Sequence, residues 1–288
     1  MVLAWCGDPE VKAEALAFAG EGMPLSELLP EAQRSWGIPP GVCTLLKCLP
    51  DGQSVAAFEA IPVGADLALV PARWALELLA GEHGAVHHTD ADSSQRIAVD
   101  LVITLYRRKT AGEDPPGSEW VAASRAAEAA GRAAAADHRL GPAAHAAATA
   151  YAAAAAQAPE AAPLAAQAAS ARAAAIDAVD DTTFEDYQAA YAEADALAQA
   201  AEYSREAMMD ATEAAFHVTF APVKDAAERA RAALAAGRPV SERDAAAWEQ
   251  ANAAGEVASA TLGQYTAWRV DRLLYHLSQG PLIGGELR

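Results

Sequence analysis

Large rings are scarce in this chain: Phe, Trp and Tyr together make up 6% of its 288 residues. Few side chains can therefore fill wide gaps between packed elements, and any core must be thin and closely spaced. Cysteine is scarcer. Cys6, Cys43 and Cys48 are an odd number, with no leader peptide before them, which points to a reducing cytoplasm. Cys43 and Cys48 stand five apart among apolar residues. They read as core packing rather than as a redox pair, and no zinc pattern can be assembled without distant histidines.

Long apolar runs are missing as well. The stretch 65–80 is too short to span a bilayer and contains Pro71 and Arg73. The alanine runs are broken by Arg, Asp, His and Pro, and alanine drives insertion poorly. No membrane partner is expected. There is no phosphate-cradling glycine loop and no Gly-x-Ser-x-Gly elbow. Gly280-Pro281-Leu282-Ile283-Gly284-Gly285 has no helix after it, so it is not a nucleotide loop. No enzymatic activity, no cofactor and no catalytic residue are expected.

Positive charge is short too. Lys and Arg number 21 against 39 Asp and Glu, for a net charge of −18, and the isoelectric point is near 4.7. Through residue 115 the counts are 8 and 16, and beyond it 13 and 23, so both halves are acidic. Such a surface repels nucleic acid and anionic membrane. It suits a basic protein partner, or it simply keeps an alanine-rich chain in solution.

What the chain has is alanine. More than half of residues 121–180 are alanine, and the bias persists to about residue 260. Alanine loses no rotamer entropy in a helix and lets helix backbones approach closely, but it offers almost no chemistry. No fixed period with a shared signature appears, so the region reads as an antiparallel helical bundle rather than a repeat array.

Local signals divide the chain. Asp8-Pro9-Glu10 opens a helix that ends near Gly20-Glu21-Gly22, and a second short one is expected from Pro24 to Trp36. Segments 42–49 and 54–61 flank Pro50-Asp51-Gly52-Gln53, and either a β-hairpin or two short helices fits them. Pro71 opens a helix stopped by Gly81. Residues 82–92 read as a polar loop; in 96–109, which Ser93 or Ser94 can cap, the alternation of Ile97, Val99, Leu101, Ile103 and Leu105 suggests a strand, while the unbroken length favours a helix. Residues 111–117, with Pro115-Pro116-Gly117, form the best linker. That gives a mostly helical N-terminal subdomain over 1–110 and an alanine-rich bundle over 118–280, with a tail at 281–288. Within the bundle, helices are expected over about 119–138, 142–158 and 161–178. A long one follows from a capping box at Thr182-Thr183-Phe184-Glu185 to Phe216 or His217, then others over 222–236 and from Ser241 to about 279. The fold class is all-α.

Four places invite a chemical reading. His83, His87 and His88 sit beside Asp90 and Asp92, and imidazoles with carboxylates are first-choice ligands for zinc and similar cations. Gly84 weakens the helical spacing of His83 and His87, so a solvated loop is the competing reading. The long helix carries Glu185, Glu193, Glu202, Glu206, Asp210, Glu213 and His217. Glu213 and His217 are four apart and have no second copy, which disfavours a di-iron site and favours a solvated face. Asp180, Asp181, Glu185 and Asp186 form the densest acidic patch. It can stabilise a helix N-terminus or dock a basic protein. Tyr265, Trp268, Arg272 and Tyr275 share one helix face that must seat in a core or an interface.

The organisation resembles the alanine-rich immunity proteins of bacterial polymorphic toxin systems, the immunity-five-like group. The likeness lies in Cys48-Leu49-Pro50-Asp51-Gly52 within a helical N-terminal region, the long Ala-Ala-x stretch, and the closing Trp268-Arg269-Val270-Asp271-Arg272-Leu273-Leu274. In that family the closing motif reads Trp-Gln-x-x-Arg-Leu-Leu; this chain has Arg269 in place of the Gln. The resemblance implies an all-helical protein that binds and neutralises a toxin, and implies no catalytic residues. A metal-dependent protein using His83, His87, His88 and Asp90, or a self-associating structural protein, are the alternatives.

Overall fold

The computed structural model describes residues 9–22, 28, 32, 38–46, 49, 53–137, 140–158 and 181–280. Ten α-helices follow one another among the described residues. They are α1 (Pro9–Gly20), α2 (Pro40–Leu46), α3 (Ser54–Ala60), α4 (Val70–Ala80), α5 (Ser94–Thr110), α6 (Gly117–Ala135), α7 (Gly141–Ala156), α8 (Asp181–Phe220), α9 (Lys224–Ala235) and α10 (Glu242–Ser278). A short 3-10 turn, Ala85–His88, lies between α4 and α5. No strand occurs among the described residues, so the fold is all-α. The two runs around residue 50 are helices, not a hairpin. Their apolar positions are buried together: Val42, Leu45 and Leu46 in one, Ala57 and Phe58 in the other. The expected helices at 24–36 and 161–178 and the tail at 281–288 lie on or mostly on residues outside those described.

Punctuation in the sequence sets most boundaries. Pro71 sits in the first turn of α4. The Ser93 hydroxyl accepts from the Arg96 amide at 3.1 Å, and Ser241 does the same for Asp244 at 3.1 Å. Each satisfies a donor that the helix start leaves open. Gly237, with φ of 62°, ends α9 in a left-handed turn that costs glycine little. The long helix α8 begins at Asp181, so Thr182 lies inside it rather than capping it.

The centre of the molecule is α7. Ala146, Ala147, Ala150 and Ala152 to Ala156 are all buried on it, and α5, α6 and α8 pack around it. Only methyl-sized side chains let three helices crowd one so closely. The bulk comes from its neighbours. Tyr106 of α5 meets Trp120 of α6 edge to face at 4.9 Å. Its hydroxyl donates to the Ala153 carbonyl at 2.6 Å, while Gln95 of α5 donates to the Ala130 carbonyl at 2.8 Å. These links join the helices on both sides of residues 111–117. Toward the N-terminus the core turns larger, with Phe58, Trp74 and Ile61 fully enclosed. The end of α10 packs back on α3 and α4, and the beginning of α10, with α9 and the end of α8, leads away from the core as an arm.

Candidate functional site

The histidine segment is more ordered than a solvated loop. Its 3-10 turn packs on α7 and α4, with Ala85 fully buried. Around that turn Glu82, His87, Asp90 and Asp92 stay exposed, as a polar loop would have them. The turn also sends the candidate ligands to different neighbours. His83 sets its ring edgewise against Trp268 at 5.4 Å and Tyr265 at 6.3 Å. His87 Nε2 lies 3.1 Å from the Gly81 carbonyl oxygen. Burial holds the His88 imidazole below its usual pKa, and the nearby His87 and His83 add to that shift. Asp90 closes the turn through its main chain, its carbonyl accepting from the Ser93 hydroxyl at 2.8 Å. Among the described residues no three His, Cys, Asp or Glu side chains come together to hold a metal ion. Cys43 is buried, and its thiol donates to the Ile38 carbonyl at 3.7 Å, as core packing requires.

Of the acidic patch, Asp180 lies outside the described residues. Asp181, Glu185 and Asp186 belong to the start of α8, with side chains outside the description. The Tyr265–Tyr275 face divides. Tyr265 and Trp268 stack at 5.6 Å in a small apolar cluster with Met208. Arg272 lies over the Tyr275 ring at 4.5 Å and reaches back to Glu77 of α4, its Nε 3.0 Å from Oε1. Glu77 also faces His276 at 3.4 Å. Burial lowers the pKa of His276 against the opposing pull of Glu77. Gly81 makes this junction fit, because a Cβ there would stand 2.8 Å from the Trp268 ring and 2.6 Å from the Glu77 carbonyl oxygen.

A polar cluster that the sequence did not reveal joins α7 to α8. His145 Nδ1 lies 3.0 Å from Asp210 Oδ2, and Nε2 lies 3.1 Å from Glu206 Oε2. The imidazole stacks on Tyr203 at 6.4 Å. It borders a cavity of about 250 Å³ whose wall also carries Glu128, Arg132 and Tyr151. With a carboxylate of α8 at each ring nitrogen, the histidine ties α7 to α8. The one visible hint was the i, i+4 pair Glu206 and Asp210; nothing near His145 in its alanine helix announced their partner.

The arm presents open binding surface. One groove of about 480 Å³ runs between α8 and α10 over 208–219 and 250–261. Ala211, Ala215, Ala254 and Ala258 floor it, and none of its lining residues is charged. Thr219 and Thr261 line it too, yet their hydroxyls donate within their own helices, to Ala215 at 3.3 Å and Val257 at 2.9 Å. Those two hydroxyls are therefore already engaged within their helices. Val218 and Val257 stand 78% and 67% exposed on the same two helices. A second groove, about 570 Å³, lies where α8, α9 and α10 meet, and is lined by Phe216, Phe220 and Trp248 with Glu228, Glu256 and Arg231. Among the described residues, no helix is long and apolar enough to cross a membrane.

The chain matches no protein-family model, no curated protein and no solved structure.

Proposed function

We propose that the protein is a binding module that works by occlusion, an immunity protein whose partner is a basic bacterial toxin domain met in the cytoplasm. The observation that carries this reading is the uncharged groove between α8 and α10 on a chain of net charge −18. Charged groups are costly to strip of water, so a partner seats most readily where there are none. The surrounding acidic field raises the encounter rate with a basic partner. Neutralisation by occlusion needs no catalytic group, and the resemblance to immunity proteins points the same way.

The test is co-expression with the toxin domain encoded beside the gene. The expected outcome is survival only when this chain is present, with a stoichiometric complex on size-exclusion chromatography. Cells that die equally with and without the chain would remove the toxin reading. Association measured by stopped flow should slow as salt rises. A salt-independent association rate would remove the steering role of the acidic surface.

A further inference from the structure

We infer that the second groove, at the junction of α8, α9 and α10, takes lysine or arginine side chains from a segment of a partner protein. The inference rests on the protein-binding reading and names the site and the chemistry it would recognise. Phe216 and Phe220 stack at 5.2 Å with their rings nearly parallel, and Trp248 shares the groove with them. All three rings are only half-buried on an otherwise exposed arm. Aromatic faces carry negative quadrupole density that attracts a cation, tryptophan most strongly. Glu228 and Glu256 stand exposed in the same lining. Arg229, the neighbour that could have neutralised Glu228, is held instead by Asp244 at 2.8 Å. Among the described residues no ion pair engages Glu228 or Glu256. Arg231 is the one cation of the lining, so the groove carries two carboxylates and one guanidinium beside three rings.

Rings and carboxylates together fit a side chain with an apolar stem and a cationic head. Lysine and arginine lay the stem on the rings and bring the head to the carboxylate. The charge of −18 over the whole chain favours the same occupant and opposes a second copy of this chain.

The probe is a short fluorescein-labelled peptide of lysine and leucine, with its lysine-acetylated twin, followed by fluorescence anisotropy. Three changes carry the prediction. Glu228→Gln with Glu256→Gln, and separately Trp248→Ala, should each weaken binding about tenfold, and Arg231→Ala should tighten it about threefold. Glu14→Gln with Glu82→Gln removes the same charge from exposed positions elsewhere and should leave affinity nearly unchanged. The glutamate changes are on the surface and keep the test valid even if Trp248→Ala unfolds the arm.

Equal weakening by both glutamate pairs would mean attraction by the general field and would overturn the site. So would equal binding of the acetylated twin, or weaker binding in Arg231→Ala. A dimer of the chain alone in sedimentation, abolished by Trp248→Ala, would assign the groove to a second copy and overturn the inference. Two further results separate this site from the toxin reading. Toxin neutralisation that survives the glutamate changes overturns the groove as the partner's seat and leaves the binding function standing. Groove-specific peptide binding in a chain that neutralises no toxin supports the groove and removes the toxin reading.

Discussion

Two alanine-rich regions of this molecule differ in almost everything except composition. In α7 the alanines are buried nearly all round. In the arm, Ala214, Ala246, Ala253 and Ala260 face solvent. The difference comes from the neighbours. Around α7, the rings of Tyr106 and Trp120 and the side chain of Leu197 close over methyl-sized surfaces. In the arm the rings of Phe216, Phe220 and Trp248 stay half-buried along an open groove: α9 buries only Ala227 and Ala230, and the apolar cluster at the arm's base is Met208, Tyr265 and Trp268. Alanine secures the helix in both places, but burial depends on what larger side chains the rest of the chain delivers.

The largest expected effect sharpens that contrast. Ala153→Leu adds bulk where Ala153 is fully enclosed and should cost about 1–3 kcal/mol by overpacking. Ala214→Leu and Ala260→Leu, at exposed positions of the arm, should stay within about 0.5 kcal/mol. Chemical denaturation of the three variants decides it, and equal losses would erase the distinction between core and arm.

Next in size are two buried hydroxyls. Tyr106→Phe removes the donor to the Ala153 carbonyl, and Tyr265→Phe removes the donor to Ser204 Oγ at 2.7 Å. Each should cost about 0.5–1.5 kcal/mol. Tyr265 is 1% exposed, so a loss matching that of Tyr106→Phe would place the root of the arm within the packed region. No loss at Tyr265 would move the boundary of the arm toward α4.

The same contrast explains which parts of the structure could be read from the sequence. Helix ends were legible because their signals are local: Ser93, Ser241, Pro71 and Gly237 each act within a turn of chain. The segment around residue 50 was ambiguous because short apolar runs fit either period, and only the joint burial of Leu45, Leu46 and Phe58 decides it. The histidine segment misled because ligand-type residues close in sequence can diverge in space; a 3-10 turn sent His83 to Trp268 and His87 to Gly81. His145 went unnoticed for the opposite reason, since Glu206 and Asp210 are more than sixty residues away. Neither groove was visible, because each depends on how neighbouring helices of the arm pack on one another, which no local signal fixes.

Two helix caps give a smaller effect. Ser93→Ala removes the cap of α5 in the packed region, and Ser241→Ala removes that of α10 on the arm. Each should cost its own helix about 1 kcal/mol. If the arm opens locally before the core, Ser241→Ala should speed amide exchange at the start of α10 while shifting the main unfolding transition less than Ser93→Ala does. Identical shifts would show that arm and core unfold as one unit.

The finest test uses pH, because histidines with lowered pKa values lie on the packed side. His88 is depressed by burial, with His87 and His83 adding to it. His276 is depressed by burial, with Arg272 and Arg73 adding to it and Glu77 opposing. Below the ordinary histidine value of 6.5, the unfolded chain binds protons that the folded chain resists. Stability from these two groups is therefore complete above that pH and is lost as the pH falls through their lower folded values. Amide exchange in α4, the 3-10 turn and the last turns of α10 should quicken over that window, while α9, remote from both imidazoles, should not respond. His88→Leu with His276→Gln should flatten the dependence above the carboxylate range, since neither replacement titrates. A slope that persists in that double variant would assign the pH response to other groups and detach it from the junction of α4 and α10.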